Sequence, residues 1–347
     1  MKELSPRIIG GKIGFPENFP TQQGKPGFLS GNPILLFNAR SGIKLVLEAL
    51  KPGQVWLPSY LCPSIISAVL SADTEFSFYP VDQLLNMEDS WDISRNIRSG
   101  DLVVVIDYFG FPFNQLLIEE LKNQGCLILR DCSQALFYAW YEDALCDYFH
   151  FSPRKFLAVP DGGVLISKEN KELLQTHLQE AGEDVMFTML KALLLRRDFD
   201  ILGGERKFLE LFEQGERRFA PGTLKMSQLT HMLLTQGFDY HQIQTQRRTN
   251  FRILLKELGS YALFHQFPDN VVPLGFPIRV NNRNEIRNKL FQKNIFPAIH
   301  WDLKVSVPRQ FVQSHQLSEE IMTLPCDQRY NEEDMHYVAQ SVLELAS

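Results

Sequence analysis

Leu102-Val103-Val104-Val105-Ile106 and Cys126-Leu127-Ile128-Leu129, with Gln115–Asn123 between them, decide the architecture. Both apolar runs are short, continuous and bounded by polar residues, the pattern of strands covered on both faces. The segment between them reads as a helix, so the unit is strand, helix, strand. Working outward, residues 34–37 (ILLF) read as a strand and 41–50 as a helix with Ile43, Val46, Leu47 and Leu50 at helical spacing. Lys51-Pro52-Gly53 stops that helix. Residues 55–57 form the next strand, ended by Pro58; 65–70 are helical, and 75–81, 148–151 and 163–166 are further strands. Short apolar strands alternating with helices predict an α/β domain with a mainly parallel sheet.

Residues 168–258 turn mostly helical and charged. The tail changes again: 271–280 is strand-like, 284–292 helical, and 331–345 a final helix, together a small α+β domain. The expected organisation is an N-terminal arm (1–27), a large α/β domain with a helical region (28–258) and a small C-terminal domain (259–347).

The chain has 347 residues, of which 44% are hydrophobic and 22% charged, enough for about two domains without disulfides or a structural metal. Its net charge of −6 argues against a generalised nucleic-acid surface. Five cysteines without a C-x-x-C pair give no zinc or redox motif and read as free thiols in a reducing compartment. Residues 1–14 lack the apolar run of a signal peptide, and the most apolar helical stretch, 186–195, contains Lys191 and reads as an amphipathic helix rather than a membrane span. The expected location is the cytoplasm.

Ligands of open α/β sheets bind at the C-terminal ends of the strands, so the residues following each apolar run are the ones to inspect. After 34–37 come Asn38, Ala39, Arg40 and Ser41 at a helix start, which suits either a phosphate or an ordinary helix cap. After 126–129 comes Asp131, able to ligate a metal, cap a helix or pair with a cationic ring nitrogen. After 148–151 comes Lys155, with apolar neighbours and the cation Arg154 beside it, both favouring the neutral amine. No G-x-G-x-x-G or P-loop pattern is present. Phosphate cradle, carboxylate and lysine in that order are the parts of a pyridoxal phosphate site.

On these residues the chain, from about Phe28 to its C-terminus, resembles the DegT/StrS family of pyridoxal-phosphate-dependent sugar aminotransferases of fold-type I. Arg130-Asp131-Cys132-Ser133-Gln134-Ala135 resembles the family's E-D-A-A-Q-A, and Phe151-Ser152-Pro153-Arg154-Lys155 followed by Asp161-Gly162-Gly163 resembles F-H-P-T-K and G-E-G-G. Asp107-Tyr108-Phe109-Gly110 is similar to H-L-Y-G, and Leu57-Pro58-Ser59 to V-P-S. The resemblance implies Lys155 as the Schiff-base lysine and general acid–base, and Asp131 as partner of the pyridine nitrogen. It puts Gln134 by the phenolic oxygen and Ala39, Arg40 and Ser41 at the phosphate, with Ser152 adding a hydroxyl. Lys225-Met226-Ser227 resembles R-M-S, with a helix expected over 228–246. Thr223 falls where the family has an asparagine that reaches the neighbouring subunit's cofactor phosphate, and Cys62 where it has the ring-stacking aromatic, with Tyr60 nearby as a substitute. The clusters His300-Trp301 and 326–330 read as substrate-binding or as structural hydrogen bonding.

The resemblance implies pyridoxal 5′-phosphate as cofactor and a homodimer with shared active sites. The implied reaction moves an amino group from an amino donor, glutamate, to a keto sugar linked to a nucleotide. The retained Lys155 argues against the family's dehydratase branch. Other pyridoxal-phosphate chemistry on an amino acid, such as lyase or aldolase reactions, or a binding role, are the alternative readings.

Overall fold

The computed structural model describes residues 8–17, 25–168, 178–180, 183–220 and 222–346. Residues 1–7 and 18–24 of the expected arm, and 169–177 of the expected helical stretch, lie outside the described residues. The strands are β1 (Ile9–Gly10), β2 (Ile34–Leu36), β3 (Val55–Pro58), β4 (Phe76–Tyr79), β5 (Leu102–Ile106), β6 (Leu127–Asp131), β7 (Tyr148–Phe151), β8 (Gly163–Ser167), β9 (Phe276–Arg279), β10 (Ile295–Phe296) and β11 (Ile321–Leu324). The helices are α1 (Arg40–Leu50), α2 (Pro63–Leu70), α3 (Ile93–Asn96), α4 (Gln115–Asn123), α5 (Glu183–Leu202), α6 (Phe208–Arg218), α7 (Gln228–Gln236), α8 (Tyr240–Leu258), α9 (Arg283–Gln292), α10 (Val312–Glu320) and α11 (Glu332–Ala346).

Seven strands form one sheet in the order β2-β8-β7-β6-β5-β3-β4. From β4 through β3, β5 and β6 to β7 every pair is parallel; β8 runs antiparallel to both β7 and β2. The mainly parallel α/β domain expected from the alternating pattern is therefore present. All five residues of β5 are buried, as a strand covered on both faces requires. Beyond the sheet, β1 pairs parallel with β10, and β9 antiparallel with β11. The buried apolar residues form two clusters. One surrounds the large sheet; the other joins Phe251, Leu254 and Leu258 of α8 to Phe276, Met322 and Val338.

Four local expectations are corrected. The helix expected over 228–246 is two helices, because Gly237 ends α7 and the Asp239 carboxylate caps α8 by accepting from Gln242 N–H at 2.9 Å. Of 271–280 only Phe276–Arg279 is strand: Pro273 has no N–H to give a ladder, and Leu274 N–H donates instead to the Phe109 carbonyl at 2.9 Å. Asp131, read as lying just past its strand, is the last residue of β6. Residues 186–195 are helical but not simply amphipathic: α5 buries Met189, Ala192 and Leu193 yet also exposes Phe187, Leu194, Ile201 and Leu202. No helix among the described residues is long and apolar enough to cross a membrane.

Candidate active site

Parallel strands end on the same side, so β5, β6 and β7 deliver Asp107–Phe109, Asp131–Gln134 and Ser152–Lys155 to one edge of the sheet (107–109, 131–134 and 152–155). Asp131 is buried, and its Oδ1 accepts the Ser133 N–H at 2.7 Å. His150, its register partner on β7, brings Nε2 to 3.0 Å from the same oxygen. The two groups are close but imperfectly aligned, so the contact is electrostatic more than a directed hydrogen bond. Burial pushes the Asp131 carboxyl up, but His150, Lys155 and the Ser133 N–H together outweigh it and hold it well below the usual carboxylate range. His150 is the site residue that sequence reading missed. A polar residue inside the four-residue buried strand YFHF was the available signal.

Behind Asp131 lies a fully buried ion network. Arg130 Nε donates to both Asp107 oxygens at 3.0 Å, Nη1 donates to Asp143 at 2.9 Å, and the guanidinium lies 4.1 Å from the Tyr138 ring centroid. The Asp107 carboxylate also accepts the Phe113 N–H at 2.8 Å. This network braces the connection from β6 to β7, which holds one 3-10 turn at Trp140–Glu142. Gln134 Oε1 accepts the Phe109 N–H at 2.7 Å, which leaves Gln134 Nε2 buried with no partner among the described residues.

Lys155 ends a single 3-10 turn (Pro153–Lys155) and its side chain is exposed. The desolvation expected from its apolar neighbours is absent, because Phe156 and Leu157 turn into the core while Lys155 turns outward. Arg154 is also engaged elsewhere: Nη2 donates to Glu216 at 2.7 Å, and its guanidinium stacks 4.1 Å over the Phe219 ring. Lys155 nevertheless stands in electrostatic reach of Asp131 and His300. Ser152, half-buried, precedes the turn and its carbonyl accepts the Lys155 N–H at 3.1 Å.

At the start of α1, the Asn38 carboxamide oxygen accepts the Ser41 N–H at 3.1 Å, and its nitrogen donates to the Ala220 carbonyl at 2.9 Å. Ala39 is the cap residue. Burial pushes the Arg40 guanidinium below its ordinary value; its charged neighbours are Glu216 and Arg154. Gly163 makes this approach possible: a Cβ there would lie 2.2 Å from the Asn38 carbonyl carbon. Ser41 Oγ accepts the Gly222 N–H of the same chain at 3.1 Å, so the loop carrying Thr223 runs along its own helix start. The Thr223 carbonyl accepts the Gln179 N–H at 2.7 Å. Asp161, of Asp161-Gly162-Gly163, accepts both the N–H and the hydroxyl of Ser227 and so anchors the start of α7.

His300 and Trp301 pack against Tyr60 and Tyr108. Tyr60 is fully buried and its hydroxyl donates to the His300 carbonyl, while the Tyr108 hydroxyl donates to the Tyr60 carbonyl. The Trp301 ring lies 5.8 Å from Tyr60 and 6.3 Å from Tyr108. Tyr60 thus links the end of β3 to residues 300–301. Cys62, half-buried at the tip of α2, accepts a hydrogen bond from the Ser64 hydroxyl at 3.0 Å. Burial, and then the nearby Lys155, push His300 down to about 3, and its Nδ1 lies 2.9 Å from Thr323 Oγ1. In the 326–330 cluster, Gln328 donates to the Phe156 carbonyl at 2.8 Å and accepts from Arg247 Nε at 2.7 Å, tying the lysine loop to α8 and the 326–330 segment. Among the described residues no group of three His, Cys, Asp or Glu side chains could hold a metal ion. A cavity of about 660 Å³ opens between the arm, α5 and the α7–α8 corner, but neither Lys155 nor Asp131 lines it.

This arrangement offers an ionised buried carboxylate, an accessible amine and a cationic helix start on one sheet edge. The sequence model of the DegT/DnrJ/EryC1/StrS aminotransferase family matches residues 32–343. Among solved structures, the PLP-form of the putative sugar aminotransferase Spr1654 from Streptococcus pneumoniae superposes with a TM-score of 0.66 at 14% identity, over 95% of this chain and 93% of that one. NtdA from Bacillus subtilis with bound cofactor PMP gives 0.67 at 14% identity, over 90% and 73%. Helicobacter pylori PseC, an aminotransferase involved in the biosynthesis of pseudoaminic acid, gives 0.63 at 14% identity, over 96% and 99%. These likenesses establish the fold. No curated protein matches the chain.

Proposed function

The chain belongs to the DegT/DnrJ/EryC1/StrS aminotransferase family, and from that premise we propose that it uses pyridoxal 5′-phosphate to move an amino group from glutamate to a keto sugar linked to a nucleotide. The observation that carries this reading is Asp131, buried yet held ionised at the end of β6, with the exposed amine of Lys155 in electrostatic reach. Its residues fit the cofactor in two further respects. Gln134 Nε2 is a buried donor with no partner among the described residues, suited to an oxygen substituent of the ring. Arg40, at the start of α1, supplies a partly desolvated cation for a phosphate, beside Ala39 and Ser41.

Bound there, pyridoxal phosphate supplies the electron sink that lets an α-proton leave an amino acid. Asp131 keeps a proton on the ring nitrogen, because an ionised carboxylate in a buried site stabilises the cation beside it. Lys155 would hold the cofactor through its amine, and its free Nζ would take the proton from the donor's α-carbon as general base and deliver it, as general acid, to the cofactor carbon that bore the aldehyde. Its exposed position lets Nζ swing between those tasks. His150 keeps Asp131 charged. His300, Trp301 and Tyr108 exclude water from the face opposite the sheet, and Ser152 orients the turn that carries Lys155.

We place the enzyme in the cytoplasm as a homodimer. The apolar residues that α5 exposes in one chain, Phe187, Leu194, Ile201 and Leu202, support a partner surface. The bond from Gly222 to Ser41 of the same chain favours Thr223 beside its own chain's cofactor, and Cys62 with Tyr60 would border the ring. We also divide the chain at Leu258, into residues 28–258 and a small domain from 259. A stepwise assay tests the function. Glutamate should convert the loaded enzyme to its amine form, and a keto-sugar nucleotide should return it. An enzyme that takes up the cofactor yet is unchanged by every amino donor would overturn the transaminase reading.

A further inference from the structure

We propose that Lys12, brought in by the N-terminal arm, contacts the cofactor's phosphate directly, and that Glu216 occupies the phosphate's place until it binds. The inference rests on the pyridoxal phosphate reading above. One carboxylate oxygen, Glu216 Oε1, is shared by Lys12 Nζ at 2.8 Å and Arg154 Nη2 at 2.7 Å. Arg40 counts Glu216 and Arg154 among its charged neighbours, and Lys155 is a neighbour of Lys12. Four cations therefore converge next to the start of α1, where Glu216 pairs directly with two of them, while Asp161 lies in electrostatic reach of Arg154 and Asp131 in reach of Lys155. The four cations still outnumber these carboxylates by one, and a phosphate dianion would answer that remaining positive charge. Glu216 is itself held down to about 2: burial pushes it up, but Arg154 and Lys12 overcome that, so it stays an anion at any working pH. A phosphate arriving among these cations must displace or repel that carboxylate.

The arm is built to place Lys12. β1 pairs with β10, and the Gly10 N–H donates to the Tyr330 hydroxyl at 2.6 Å. Three arginines then donate to its carbonyls: Arg196 to Gly10 at 3.3 Å, Arg329 to Gly11 and Lys12 at 3.2 and 3.0 Å, and Arg197 to Pro16 and Glu17 at 3.2 and 3.1 Å. Gly10, at φ 118°, has the Phe296 carbonyl oxygen 2.5 Å from where a Cβ would sit, so the close approach requires glycine. A surface ion pair alone would repay little of the chain entropy lost in ordering this segment. The same ordering pre-positions a cation for an incoming phosphate, at no further entropic cost.

The test is equilibrium binding of pyridoxal phosphate and of pyridoxal, which lacks the phosphate, to the full chain and to Lys12→Met, Lys12→Arg and Glu216→Gln, read by absorbance. Losing one charge-assisted contact should weaken pyridoxal phosphate binding by Lys12→Met about tenfold, with pyridoxal unaffected. Lys12→Arg should keep wild-type affinity, and Glu216→Gln should bind the phosphorylated form more tightly. Unchanged affinity in Lys12→Met, equal weakening for both ligands, or weaker binding by Glu216→Gln each overturns the proposal. If Lys12→Met does not fold, the Glu216→Gln result decides. A wild-type chain that binds neither ligand overturns the cofactor reading itself, and this proposal with it.

Discussion

His150 Nε2 lies 3.0 Å from Asp131 Oδ1 across the β6–β7 ladder, with both side chains buried. The contact favours the ionised carboxylate, so its contribution to stability is complete above the ordinary aspartate pKa of ~3.9 and is lost as pH falls toward the lower value in the fold. We predict that His150→Leu costs about 1–3 kcal/mol at neutral pH and moves the onset of acid unfolding to higher pH. Urea titrations across pH measure both; an acid limb identical to wild type would count against the role given to His150.

Arg130 is shared by Asp107 and Asp143 with no solvent contact. Removing it strands two buried carboxylates, so Arg130→Met should lose about 3–5 kcal/mol, read as a lower denaturation midpoint at unchanged m-value. A loss below about 1 kcal/mol would mean that the network behaves like a surface pair.

Gly163 packs against the backbone of Asn38 and Ala39, where a Cβ would come within 2.2–2.4 Å. Backbone atoms cannot swing aside, so Gly163→Ala should push the start of α1 from its place. We expect a stability loss of about 2–3 kcal/mol, together with weakened uptake of pyridoxal phosphate. Full affinity in the variant would separate α1 from the phosphate.

His300 is pushed down to about 3, so between that value and ~6.5 the unfolded chain binds a proton that the folded one does not. Stability should therefore fall as pH drops below about 6.5. The slope should stay under ~1.4 kcal/mol per pH unit, because the residue retains partial exposure. His300→Gln, compared with wild type by urea unfolding at pH 7 and 5, should flatten that fall. Equal slopes would place the sensitivity elsewhere.

How much of this was legible in sequence depends on the range of the interaction. β5, α4 and β7 were readable end to end because continuous apolar runs and clear punctuation are local signals. Asp131 and Lys155 stood out in sequence because they follow apolar runs in chain order, and the parallel strands bring both to one sheet edge. α10 was not, since VQSHQLSEE has too few apolar residues to show a period. β1 is two residues long and exists only because β10 accepts it. The Lys12–Glu216–Arg154 cluster joins positions 204 and 62 residues apart, and no spacing rule reaches that far. The environment of Lys155 was misjudged for a related reason: apolar neighbours in sequence point inward from a turn while the lysine points out.

The central claim is that Lys155 carries the cofactor, and chemical trapping tests it most directly. The chain is saturated with pyridoxal phosphate, reduced with borohydride and digested, and the modified peptide is sequenced by mass spectrometry. The account predicts one pyridoxyl-phosphate adduct, on Lys155, and none in Lys155→Ala. No adduct, or an adduct that persists in Lys155→Ala on another lysine, would contradict it.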